Sequence, residues 1–157
     1  MKKTFSAAVL LFLAILSIHS ENWAHWRGPH YDGSTDEKNL PGEFSKTQNV
    51  KWSAALPGMS AATPIIWGDY VFISSGEEKS KCLRALAVDR KTGKILWEHE
   101  VGIGYSQDEK SNFASPSPVT DGKVVVFLYG NGELAAFDPA GKSLATCWHE
   151  YVVHRSS

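Results

Sequence analysis

The 157 residues carry a formal net charge of −1, with 43% hydrophobic, 21% charged and 11% aromatic positions. That is the composition of an ordinary globular domain, and the lack of any basic stripe removes the electrostatic basis for binding nucleic acid. The two cysteines, Cys82 and Cys147, lie far apart in sequence, which excludes a disulfide-dense scaffold and a CxxC site.

Residues 1–20 have the pattern of a signal peptide. Lys2 and Lys3 precede an uncharged apolar run over 7–18, with a cleavage region over 17–20. The run is too short for a comfortable membrane span. The expectation is an exported protein, periplasmic or extracellular, with no stable membrane span after cleavage. Residues 21–48 show no sustained period and are expected to form an irregular lead-in arm, with Trp23 and Trp26 packed onto something else. Residues 49–55, NVKWSAA, alternate Val50, Trp52 and Ala54 with polar neighbours, which predicts a strand. Pro57 and Gly58 end it.

A first repeat is expected over about 61–101, with strands over 63–67, 70–74, 83–88 and 94–100. Its most distinctive stretch is 87–97, AVDRKTGKILW. Asp89 opens a tight turn, its carboxylate accepting from backbone N–H groups ahead. Gly93 closes the turn, where positive φ carries no steric cost. A polar connector follows over 102–112. The second repeat is expected over about 114–145. Ser117-Pro118-Val119 answers Thr63-Pro64-Ile65, and AFDPAGKSL over 136–144 answers the turn, with Asp138, Pro139 and Gly141 at positions i, i+1 and i+3 of a type I turn. Strands over 124–129 and 133–137 flank Gly130-Asn131-Gly132, whose Asn-Gly pair predicts a type I′ hairpin. Each unit is a four-stranded antiparallel meander of roughly fifty residues, the size of one propeller blade.

The expected fold is therefore all-β: a partial β-propeller over 49–145, made of two four-stranded antiparallel blades plus an N-terminal strand. The copies differ at their ends. Trp97 lies four residues after Gly93, but the matching place after Gly141 is Ala145. Residues 146–157 show no further turn and are expected to form an aberrant tail, with the repeat ending in mid-strand.

The stretch AVDRKTGKILW fits the A-x-D-x-x-T-G-K-x-x-W pattern of the PQQ-like, quinoprotein-type β-propeller repeat at every fixed position. WAHWRGPHYDG over 23–33 resembles the opening of exported bacterial proteins of this type. The resemblance implies a ring of seven or eight blades, which needs about 350 residues at about fifty per blade. It implies that Trp97 docks on the neighbouring blade close to a turn glycine, and that the strand over 49–55 pairs with the last blade of a full ring. On this view the chain is a truncated piece of a larger, non-catalytic binding or scaffold protein of the cell envelope. Its partner would be an envelope protein or a second copy, reached through open blade edges. The alternative is a fragment of a PQQ-dependent oxidoreductase lacking its catalytic residues. Relatives of that class use an Asp base, carboxylate and amide ligands for calcium, and a neighbouring cysteine pair; none can be located here. No catalytic, cofactor-binding or metal residue is assigned, and PQQ and Ca²⁺ enter only by family analogy. Two blades leave open faces and unpaired edges, so an oligomeric or partly unfolded isolated chain is expected.

Several groups invite sharper readings. Asp32, Ser34 and Asp36 alternate as oxygen ligands do, but the Gly and Glu of a calcium loop are misplaced, and a solvated turn is the expectation. His25 and His30, and likewise His149 and His154, lack the spacing of a zinc helix and cysteine partners, so surface histidines are expected. The loop 130–132 lacks the Lys-Ser/Thr and helix of a phosphate loop. The Trp and Phe residues are expected in a core between blades, because they recur at the repeat period. Cys82 and Cys147 are not expected to pair.

Overall fold

A computed structural model describes residues 21–148. The signal-peptide expectation over 1–20, His149, His154 and most of the expected tail lie outside the described residues.

Eight strands form two separate four-stranded antiparallel meanders. The first sheet contains β1 (Ile65–Trp67), β2 (Tyr70–Gly76), β3 (Cys82–Asp89) and β4 (Ile95–Ile103), in that order. The second contains β5 (Val119–Thr120), β6 (Val125–Leu128), β7 (Glu133–Phe137) and β8 (Ser143–Trp148). No helix occurs among the described residues. These are the two expected blades.

The β3–β4 turn is built as its residues predict. Asp89 Oδ1 accepts from the N–H groups of Lys91 at 3.0 Å and Thr92 at 2.7 Å, and from the Thr92 hydroxyl at 2.7 Å. Gly93 takes φ +75° and donates to Asp89 O at 2.8 Å. The β7–β8 turn is one residue tighter. There Gly141, at φ +93°, donates to Asp138 O at 3.0 Å, the i→i+3 bond of the expected turn. Both ladders shift register at the same place, between Ala87 and Val88 and between Ala136 and Phe137.

Three details differ from the expectation. Residues 49–55 form no strand: their burial alternates from Trp52 onward, but no ladder partner is present among the described residues. The fourth strand of the second repeat runs past the expected boundary at 145. Register pairs Ala135–Thr146, Leu134–Cys147 and Glu133–Trp148 carry β8 through to Trp148, because ladder bonds need backbone groups and not the missing tryptophan. The 130–132 loop is a three-residue connection and not type I′. Tyr129 N–H bonds to Glu133 O, Gly132 alone adopts positive φ, at +89°, and Asn131 stays outside that region. Asn131 Oδ1 instead accepts from Glu133 N–H at 3.2 Å, and Gly130 N–H is drawn away to Phe113 O.

The core lies between the sheets. Ile65, Phe72, Leu83, Ala85 and Ala87 project from the first, and Val125, Phe127, Tyr129, Ala135 and Phe137 from the second. Each set follows the two-residue period that puts alternate side chains on one face. For each blade, the face towards the next blade in chain order is called its front here, and the other its back.

Candidate binding surface

Tryptophan on glycine is the joint that fixes one blade on another. Trp97, on the front of the first blade, lies against Gly141, where an added Cβ would come within 2.7 Å of the indole. Its Nε1 donates to Pro139 O at 2.9 Å. Beside it, the His99 ring stacks on Phe137 with centroids 4.7 Å apart and planes 6° from parallel. His99 Nε2 donates to Gly141 O at 2.7 Å. A second indole, Trp67, covers Gly122 at the inner turn of the second blade, 2.3 Å from where a Cβ would stand.

Trp52 repeats the geometry of Trp97 one blade earlier. It covers Gly93, with the added-Cβ distance at 2.6 Å, and its Nε1 donates to Arg90 O at 2.8 Å. Arg90 follows Asp89 as Pro139 follows Asp138. The stretch around Trp52 thus places its indole where the fourth strand of a preceding blade would place one. The sequence signal was present: WSAALP over 52–57 and WEHEVG over 97–102 both carry an apolar residue four places after the tryptophan. Sequence reasoning read Trp52 as an ordinary strand residue and missed both this role and that of Trp67.

The front of the second blade has no such joint. Ala145 stands opposite Ala136, as Trp97 stands opposite Ala87. Around Ala145 the register brings Val119, Val126, Leu128 and Leu134 to the same face. Val119 is 46% exposed and Leu128 45%. This is an uncharged apolar sheet face presented to solvent, of the sort that marks an interaction surface.

The arm contributes at the inner edges. Trp23 exchanges two 2.8 Å backbone bonds with Ile66 of β1, and Ala24 O accepts from Thr120 N–H of β5 at 3.0 Å. Asn22 Oδ1 accepts from Gly68 N–H at 2.8 Å. The arm therefore ties the first strands of both blades, and Trp23 covers Gly28. Trp26 does not pack inward as expected: it is 63% exposed, with the Arg27 guanidinium 5.5 Å above its ring.

The other singled-out residues do not converge. Asp32 Oδ1 accepts from the N–H and hydroxyl of Ser34, which hold its carboxyl below the usual range. Asp36 turns to His30 Nε2 at 3.3 Å, and the His25 ring meets Tyr31 at 4.2 Å. Cys82 is a free thiol on β3, and Cys147 belongs to β8 of the other sheet. The densest charge cluster lies on the first sheet, where Arg84 reaches Glu98 at 2.6 Å, Glu100 at 3.2 Å and Glu77 at 3.3 Å. Among the described residues no group of three or more His, Cys, Asp or Glu side chains is placed to hold a metal ion.

Consecutive four-stranded meanders, each locked to its neighbour by an indole over a turn glycine, define a partial β-propeller of PQQ-like repeats. The model of the family described as outer membrane protein assembly factor BamB matches residues 43–148, and the chain belongs to that family. No curated protein matches it. Among solved structures, BamB from Moraxella catarrhalis is similar, at 21% identity over 65% of this chain and 30% of that one, with a TM-score of 0.41. The chain thus spans 30% of the length of that structure.

Proposed function

We propose that this chain is a non-catalytic binding or scaffold module of the cell envelope, a portion of a larger propeller, exported and acting through its blade faces. The observation that carries the reading is the uncharged front of the second blade, where Val119 and Leu128 stand exposed around Ala145. Family membership supports an envelope role. No helix among the described residues is long and apolar enough to cross a membrane. The partner is another envelope protein or a second copy of the chain.

The test is photo-crosslinking from a reactive residue placed at Leu128, compared with one placed at Glu98 on the opposite side of the molecule. The reading expects adducts from position 128 in envelope preparations. Repeated absence of any adduct from that position, with the protein folded, overturns it. The reading assigns no PQQ, no Ca²⁺ and no catalytic step. Dye-linked oxidation on addition of PQQ and Ca²⁺ would contradict that part.

A further inference from the structure

Four buried side-chain atoms lack a hydrogen-bond partner among the described residues: Ser75 Oγ, Arg84 Nε, Tyr129 Oη and Glu133 Oε2. All four lie on one rung of the repeat. Ser75 pairs with Arg84 across β2 and β3, and Tyr129 faces Glu133 across the hairpin after β6. Arg84 stands five residues before Asp89, and Glu133 five before Asp138. The rung is the same in both blades, but its charge is reversed and its surroundings differ. Arg84 is answered by three carboxylates. No cation among the described residues acts on Glu133.

Glu133 projects into the seam between the blades. Its carboxyl occupies the space beside Gly102 of β4 so fully that a Cβ there would lie 1.4 Å from Oε2. Ile103 N–H and the Asn131 side chain donate to it, which favours the anion, and burial outweighs both. Among the described residues of the hairpin, the Tyr129 phenol, 2% exposed, acts on this site; from β3, Cys82 lies opposite Ile103, and Lys81 O accepts from Gly104 N–H. From β4, Gly102 and Ile103 bring no titratable side chain, and His99 is turned to Phe137 and Gly141. From the connector, Gly104 closes on Asn131. From β8, Trp148 stands opposite in register.

We propose that Glu133 is a proton-binding site of the blade seam: it docks against β4 as the neutral acid, and loss of its proton loosens the second blade from the end of β4. A carboxylate oxygen closed off from water without a cation is costly, and a proton on the unpartnered Oε2 removes that cost. Burial pushes the Glu133 carboxyl above its ordinary value of 4.5, and burial together with the Glu133 charge pushes the Tyr129 phenol up. The stability this proton contributes is full below 4.5 and is lost as pH rises through the folded-state value.

The experiment is urea unfolding of the wild type and Glu133→Gln from pH 4 to 8, with carboxyl-detected NMR titration of Glu133 in the wild type. The proposal expects a Glu133 midpoint above 4.5. It expects the ratio of the two folding constants to move in favour of Glu133→Gln, approaching tenfold per pH unit between 4.5 and that midpoint and flat beyond it. A midpoint at or below 4.5, or a ratio that stays constant, overturns it. Should Glu133→Gln fail to fold, the titration decides alone, with Gly102→Ala as the control that expels the carboxyl and restores its ordinary value.

Discussion

Trp52 and Trp97 make the same contact on successive turns: each indole covers a glycine and donates its Nε1 proton to the carbonyl just after an aspartate, at 2.8 Å and 2.9 Å. One joint is thus used twice. The first is supplied by a segment with no ladder partner among the described residues, the second by a complete blade. The consequences of this arrangement can be measured.

Removing the second joint should unhinge the blades. Trp97→Ala deletes an indole that meets Phe72, Phe127 and Phe137. A loss of about 3–5 kcal/mol is expected, as for other large aromatic truncations in cores. Urea unfolding with an internal fluorophore on each blade checks this. Gly141→Ala should destabilise as well, because its φ of +93° and the indole beside it both exclude a side chain.

Trp52→Ala should act locally. The 89–93 turn would lose its cover, while the Trp97 joint and the second blade would not. Amide exchange is expected to rise at Arg90 to Lys94 and to stay unchanged at Pro139-flanking amides. Equal acceleration in both turns would count against the equivalence of the two tryptophans.

Leu128→Lys places a charge on the exposed front of the second blade, at a half-exposed position whose cross-strand neighbour is Leu134. Stability is expected to change by less than about 0.5 kcal/mol, as at other surface sites. Self-association or partner binding through this face should weaken at least about tenfold, the effect of losing a buried apolar contact of about 1.4 kcal/mol. Analytical ultracentrifugation together with melting curves separates the two effects.

The Asp89 turn should be acid-sensitive. The Thr92 hydroxyl and N–H, and then the Lys91 N–H, hold this carboxyl below its ordinary value of 3.8. A depressed carboxyl contributes stability above the unfolded-state value, and that stability disappears as pH falls through the folded-state value. Asp89→Asn should therefore melt lower than the wild type at neutral pH and converge with it below 3.8. Melting curves over pH 2–7 check the convergence.

The strands were legible because their signals are local. Alternation gave the two meanders, and Asp89 with Gly93 and Asp138 with Gly141 marked the outer turns through side-chain and φ requirements that neighbours cannot override. The direction of the Trp97 joint was legible through family resemblance. What sequence concealed was set by pairing at a distance. Residues 49–55 alternate like a strand, yet alternation cannot supply a ladder partner. The end of β8 is fixed by β7, so the absence of tryptophan at Ala145 misled the boundary. The Asn131-Gly132 pair signalled a two-residue turn, but Phe113 captures Gly130 from outside the hairpin. Glu133 looked like any hairpin glutamate, because only the fold brings Gly102 beneath it.

An indole wedge over a turn glycine joins the two blades, and the NMR signals of the Gly141 α-protons report on that joint. Under the face of Trp97 they should be shifted upfield out of the ordinary glycine range, show cross-relaxation to the indole ring, and return to ordinary values in Trp97→Ala. Ordinary glycine shifts in the wild type, with no cross-relaxation to any indole, would contradict the account.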